Sequence, residues 1–325
     1  MRIFAVLALL LIPAVARAEP IPYNQPLTVS FRPLTGSDPK PVNSHVRYVA
    51  GYEMVAHGTS FLVGLSDLQL APDGDGFSVE AISDWGAAAR FTLMPDGQGG
   101  FKDSSLEIDP LRDDEGKTFY DKTQGDSEDI AIDPATGTRY ASFEGLQRVV
   151  AYPEPETWRG KGTMLPLSGL ARFPDNEGME GLTFIHEASG NSLLIGVESG
   201  GYWRCGLTDY ACHMVKGPPA PGFLYKTVSL AVLDPADPAH DHDILALSRY
   251  YDPFTGARNI LRLLKLDGDQ LTVDQTLLKI APPLPADNFE GVAAVKTATG
   301  YRLYFISDAI EDAARPKLLI FDWTE

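Results

Sequence analysis

Acidic residues recur in this 325-residue chain at a spacing that could do chemistry. D-N-F-E-G-V at 287–292 closes an acidic, amide-bearing turn with Glu-Gly and an apolar run, and D-N-E-G-M-E-G-L at 175–182 is a near copy. If Glu290 begins one strand and Asp308 ends the next, the turn signal T-A-T-G at 297–300 folds them to one end of a hairpin. They would then be spatial neighbours, because antiparallel strands lie about 5 Å apart. The same logic pairs Asp67 with Asp84, Glu128 with Glu144, Glu180 with Glu198 and, without charge, Ser229 with Ser248. Crowded carboxylates repel unless a cation, a shared proton or a guanidinium intervenes. Carboxylates together with amide oxygens suit calcium far better than zinc or copper. Asp67, Asp84, Glu198, Asn176 and Asn288 are therefore the expected ligands of a divalent cation, with Glu180, Glu290, Asp308 and Glu128 as the reacting acids. Such a cation would polarise an ester oxygen, while Arg90, Arg148, Arg249 and Arg315, leaving from the same strand ends with Arg204, bind an anionic substrate. The alternative role for each acid is to accept backbone N–H bonds at its turn, with an arginine locking it to a neighbouring unit.

The elements that must position these groups are strands. The 25 prolines and 30 glycines are spread evenly, and short β-branched and aromatic runs alternate with turn signals. No segment sustains a 3.6-residue apolar period, so the chain is all-β. Aligned turns expose a repeat at 64–85, 126–145, 179–199, 228–249 and 289–308, each a strand, a tight turn and a second strand. Starts roughly 50 to 60 residues apart fit the blades of a β-propeller. Five units are visible, while mature length at about 50 residues per blade predicts six blades, with five or seven as alternatives; the last blade is shared by the chain ends, with 27–31 and 46–54 beside the C-terminal strand. Closure of that kind leaves no exposed sheet edge. The ring would gather the acidic ends at one mouth.

Other motifs carry less. No G-x-S-x-G elbow occurs, and Ser66 in G-L-S-D-L lacks the second glycine, so a serine triad of the α/β-hydrolase type is excluded. His240 and His242 fall in a turn at the end away from the acids, and D-G-D-G at 73–76 lacks the spacing of a calcium loop. The Asp-, Gly- and Lys-rich stretch at 95–125 is longer than an ordinary connection and predicts an excursion over one face.

Composition narrows the setting. Residues 1–18 read as a leader: Arg2, an apolar run too short to span a bilayer, and A-R-A before the cut. The mature domain, 19–325, is expected to be a single periplasmic or secreted unit with no membrane insertion. In an oxidising compartment Cys205 and Cys212 would close a disulfide across one hairpin. The formal net charge is −17, or −19 once Arg2 and Arg17 leave with the leader. That field repels phosphate backbones and anionic lipid, which argues against nucleic-acid and membrane partners.

G-L-S-D-L with I-S-D-W, D-S-E-D-I-A-I-D-P-A-T-G, E-G-M-E-G-L-T-F, and D-N-F-E-G-V-A with F-I-S-D and L-L-I-F-D-W occur in that order along the chain. This series resembles the phytase-like family ("esterase-like activity of phytase") of exported bacterial proteins. The resemblance implies a propeller-like domain and a hydrolase of phosphate or related esters, with active groups at Asp67, Asp84, Glu128, Glu180, Glu290 and Asp308. The chain departs from the family pattern at Asp67 and Asp129, where the family has glycine, and its fourth unit lacks the acid. The leading expectation is cation-assisted hydrolysis of a small anionic phosphate ester. The alternatives are a non-catalytic propeller that binds a ligand or protein, and a calcium-dependent carboxylesterase or lactonase.

Overall fold

Each repeat folds as a strand, a tight turn and a second strand, and the first four then add two more strands from the segment that follows. The computed structural model describes residues 26–325 apart from 37, 120, 175, 238, 253 and 310–314; the leader expected at 1–18 lies outside the described residues. Three strands precede the repeats: β1 (Leu27–Pro33), the short β2 (Lys40–Pro41) and β3 (Val46–His57). Unit one comprises β4 (Leu65–Asp73), β5 (Gly76–Ser83), β6 (Ala87–Leu93) and β7 (Ser104–Pro110). A one-turn helix α1 (Lys122–Gly125) leads to unit two: β8 (Ser127–Ile132), β9 (Arg139–Phe143), β10 (Arg148–Tyr152) and β11 (Thr163–Met164). Unit three is β12 (Met179–Ile185), β13 (Ser192–Val197), β14 (Tyr202–Gly206) and β15 (Cys212–Val215). Unit four is β16 (Lys226–Val232), β17 (Asp243–Asp252), β18 (Gly256–Asp267) and β19 (Gln270–Ile280). Unit five has only three strands of its own, β20 (Phe289–Thr297), β21 (Gly300–Ser307) and β22 (Lys317–Thr324).

The chain ends complete unit five. β3 pairs antiparallel with β22 and supplies its outer strand, while β1 bridges β3 to β7 and so zips unit five to unit one. Of the two strands expected beside the C-terminal strand, β3 is there and fills out the fifth unit, while β1 lies beyond it, and the described residues form five four-stranded units where six were expected. The length estimate fails because loops such as the one between β6 and β7, and the extended β17–β19, lengthen units without adding one. The first strands of the five units, β4, β8, β12, β16 and β20, pack side by side around an axis, and β20 meets β4 to close the ring.

The core lies in the seams between units. Five apolar clusters each fill one seam: Ile82, Ala88, Ile130 and Ala141 join units one and two, and Val149, Leu182 and Ile195 join two and three. Ile185, Leu194, Leu230 and Ile244 join three and four; Leu247, Leu261, Phe289 and Phe305 join four and five; Leu68, Val79, Tyr304 and Ile306 close five onto one. Burying one such side chain contributes about 1.5–3 kcal/mol, so the ring holds only when every seam is filled. Cys205 and Cys212 face each other across β14 and β15 and are disulfide-bonded, as expected. Among the described residues no helix is long and apolar enough to cross a membrane.

Candidate active site

Every inner strand carries a β-bulge near its first residues. The register slips at Ser66 in β4, at Glu128 and Asp129 in β8, at Glu180 in β12, at Val228 in β16 and at Glu290 in β20. An extra residue at this point bends the strand and re-aims its side chain, which is how bulges serve sites at sheet ends. Glu128, Glu180 and Glu290 therefore line one pocket of about 680 Å3 at the mouth of the ring. The residue after each bulge, Asp67, Asp129, Gly181, Ser229 or Gly291, faces the crowded axis. A Cβ on Gly291 would lie 2.7 Å from the Cα of Asp67, which explains the recurring Glu-Gly pair.

This register corrects the expected alignment by one residue. Ser66, and not Asp67, is the counterpart of Glu128, Glu180 and Glu290. Asp67 is fully buried on the axis and does not line the pocket, so it is not available to a cation there. Its Oδ2 accepts the N–H of Ile130 at 3.2 Å, and its carboxyl is hydrogen-bonded to that of Asp129. Asp129 in turn accepts from Leu182 N at 2.8 Å and Leu230 N at 3.0 Å, tying inner strands of three units together. The two aspartates bolt the axis in the space that glycines leave in units three and five.

The second acid of each pair arrives as the hairpin predicts. Asp84, Glu144, Glu198 and Asp308 follow the ends of β5, β9, β13 and β21, and the backbone N–H of each reaches back to Gly64, Asp126, Gly178 and Asn288 in turn. In unit four Val228 takes the place of the first acid, Lys226 stands two residues before it, where Asp126 and Asn288 stand in units two and five, and Arg249 replaces the second acid. Arg249 donates to Glu290 Oε1 at 2.5 Å, Asn288 Oδ1 at 2.8 Å and Glu198 Oε1 at 3.1 Å. Lys226 lies 2.8 Å from Glu198 Oε2. Asn288 spends its amide on Glu290 and Asp308, at 2.8 and 2.9 Å, and positions both. Asn176 lines the pocket from a left-handed turn, four residues before Glu180, and is not the counterpart of Asn288.

Opposite unit four, unit two carries three acids. Asp126, Glu128 and Glu144 are buried, with one carboxylate oxygen of each within 4.8 Å of the others. A second triad, Glu144, Glu180 and Glu198, shares Glu144, but its Glu198 is already held by Arg249 and Lys226. The fixed cation near the first triad is Lys122 of α1, which salt-bridges Asp84 at 2.6 Å and lies 3.6 Å from Asp126 Oδ1. That oxygen is buried and has no hydrogen-bond partner. Three hard oxygen donors, one of them held only by a long ion pair to Lys122, fit a divalent cation. The acids close enough to hold a cation are thus Asp126, Glu128 and Glu144, and Glu144 with Glu180 and Glu198; of the expected set of Asp67, Asp84, Glu198, Asn176 and Asn288, only Glu198 falls in either group.

The arginine rim does not form as expected. Arg90 sits mid-strand in β6 and pairs with Glu107 and Asp109 on β7, at 2.8 and 2.6 Å. The guanidinium of Arg148 lies 4.1 Å from the Phe143 ring centre, over a separate groove. Arg204 pairs with Glu187 in a turn at the far end. Among the described arginines only Arg249 and Arg315 line the pocket, the latter 3.5 Å from Glu53. Lys122, Asp126 and the ligand role of Glu144 are not evident from the sequence; the length of the 95–125 excursion is the one signal pointing to Lys122.

Burial without enough counter-charge raises the carboxyl pKa values. Desolvation pushes Asp84 to about 6, Asp67 to about 7 and Glu290 to about 8, the last despite Arg249. Burial, then repulsion from Glu180 and the other acids, holds Glu128 well above the ordinary range. The folded protein therefore binds protons that the unfolded chain releases near pH 4. Stability in chelator is full below that pH and falls as pH rises through about 6 to 8, the reverse of ordinary acid denaturation. Denaturant midpoints in chelator are expected to be lower at pH 8 than at pH 5, and saturating calcium to flatten the slope. A midpoint that rises with pH in chelator would contradict this electrostatic account.

A family model described as phytase-like, "esterase-like activity of phytase", matches residues 61–309. No curated protein sequence matches significantly. Similar solved structures include the major allergen Mala s 1 of Malassezia sympodialis, with 14% identity, 88% of this chain and 92% of that chain covered, and a TM-score of 0.48. Hydrazine synthase of Kuenenia stuttgartiensis has 9% identity, 77% and 58% coverage, and a TM-score of 0.40. The catalytic domain of a GH62 alpha-L-arabinofuranosidase from Coprinopsis cinerea has 11% identity, 82% and 93% coverage, and a TM-score of 0.50. At such identities the likeness concerns fold alone.

Proposed function

This chain belongs to the phytase-like family, and on that premise we propose that it is a periplasmic, cation-assisted hydrolase of phosphate esters acting at the acidic mouth of the ring. The observation that carries this reading is the buried triad of Asp126, Glu128 and Glu144, which no fixed cation neutralises fully. These three residues would hold a divalent cation, calcium by the chemistry of its donors. A bound cation supplies Lewis acidity at the phosphoryl oxygen. Glu180, beside Glu144 and free of any arginine or lysine within salt-bridge distance among the described residues, takes a proton from water as its oxygen attacks phosphorus. The same carboxyl returns the proton to the departing oxygen. Arg249 fixes Glu290 and Glu198 and so holds the far side of the mouth at lower net charge. Arg315, which lines the pocket and is only loosely tied to Glu53, would meet the anionic head.

A second reading, hydrolysis of carboxyl esters or lactones, is favoured by the scarcity of arginines at the mouth: Arg90 and Arg148 are engaged elsewhere. Assay of the purified mature protein against phosphomonoesters, phosphodiesters and carboxyl esters, with calcium and with chelator, separates the readings. Calcium-dependent turnover of phosphate esters, lost in Glu128→Gln together with calcium binding by calorimetry, is the expected result. Turnover of carboxyl esters alone supports the second reading, and no turnover by folded, calcium-loaded protein leaves a binding propeller.

A further inference from the structure

The pocket has two unlike halves. Units two, three and five contribute most of the acids and unit one only Asp84, whereas the flank between units five and one is otherwise apolar, built from Met54, Leu62, Val63 and Trp85. Trp85 is the decisive member. It follows Asp84 in the turn between β5 and β6, and its side chain is 53% exposed although Trp158 and Trp323 are almost wholly buried. A large aromatic ring left in water within a pocket forgoes its burial energy unless something else covers it.

The backbone is arranged to seat this ring. Gly64 has φ +62, and a Cβ there would lie 2.7 Å from Cδ1 of Trp85 and 1.8 Å from Oδ1 of Asp84, so only glycine admits both side chains. The Trp85 N–H is held by Ser83 Oγ at 3.2 Å. The ring thus stands beside Asp84 and Lys122, at the edge of the acidic half.

Charge points the same way. The pocket cations Lys122 and Arg249 are already paired with pocket acids, which leaves Arg315 and a bound metal for the substrate. Each further phosphate would meet unneutralised carboxylates. We infer that the ester accepted here carries one anionic head, held at the acidic half, and an aromatic or alkyl leaving group that lies against Trp85. This inference rests on the phosphoesterase reading above and adds the class of substrate.

Titration calorimetry in saturating calcium tests it without requiring turnover, with phenyl phosphate and methyl phosphate as probes that share a head and differ in the apolar group. Phenyl phosphate is expected to bind about tenfold more tightly, the scale of a good aromatic contact. Trp85→Ala should cut that ratio to below about threefold, and Trp85→Phe should retain most of it. Equal affinities in the wild type, an undiminished ratio in Trp85→Ala, or no binding of either probe overturns the inference. A ratio that stands while no ester is turned over leaves the subsite intact and removes the hydrolase.

Discussion

Replacing Glu180 by glutamine is expected to lower kcat for the best phosphate ester by about 10^2- to 10^4-fold, the usual contribution of one positioned acid–base group. Glutamine keeps the volume and can still occupy the bulge of β12, so folding should survive. It cannot accept a proton from water. Burial holds the Glu180 carboxyl well above its ordinary pKa, with Arg249 pulling it partly back. Calcium affinity, which depends on Asp126, Glu128 and Glu144, should fall by about tenfold, the low end of what is usual for groups just outside a metal's ligands. The two measurements separate roles: Glu128→Gln loses calcium and turnover together, whereas Glu180→Gln loses turnover with calcium retained. A Glu180→Gln enzyme whose kcat stays within a few-fold of wild type would remove Glu180 from proton transfer.

Arg249→Met is expected to destabilise the protein by about 3–5 kcal/mol at pH 8 in chelator, the cost of leaving buried acids without their partner. Arg249 is the shared counter-ion of Glu290 and Glu198, both nearly buried, and these acids raise its own pKa against the opposing effect of burial. Methionine fills much of the same space, so the loss reports charge more than packing. Lowering the pH to 5 should recover part of the deficit, because Glu290 can then take a proton. Arg148→Met is the contrast. It removes a guanidinium lying over Phe143 and Phe119 outside the pocket, and should leave the Michaelis constant for phosphate esters near wild type. Urea midpoints of both variants, with and without calcium, give the comparison; a loss below about 1 kcal/mol for Arg249→Met would show that its acids are neutralised by protons rather than by the guanidinium.

The acid-to-acid pairing within each unit is legible in the sequence, because a hairpin is local: two strands and a turn signal place Glu180 beside Glu198 and Glu290 beside Asp308 whatever the rest of the chain does. The all-β class, the repeats and the disulfide between Cys205 and Cys212 follow from equally local signals. The bulge is not legible. One extra residue changes which side chain faces the mouth, and the letters S-D, E-D and E-G do not reveal which of the pair is extruded, so the pattern points Asp67 at the pocket although it belongs to the axis.

Arginine positions mislead for a related reason. Arg90 lies within a strand, whose fixed alternation and cross-strand partner hold it at mid-sheet, while only Arg249 stands where a second acid would otherwise be. The sequence by itself determined strand content, the unit repeat and the neighbours within each hairpin, since these depend on contacts a few residues apart. Blade number, the reach of Lys122 from its excursion, and the opposition of a cationic fourth unit to an acidic second unit were decided only by ring closure. Closure brings together residues from five units that share no local signal, and charges interact through space, wherever they stand along the chain.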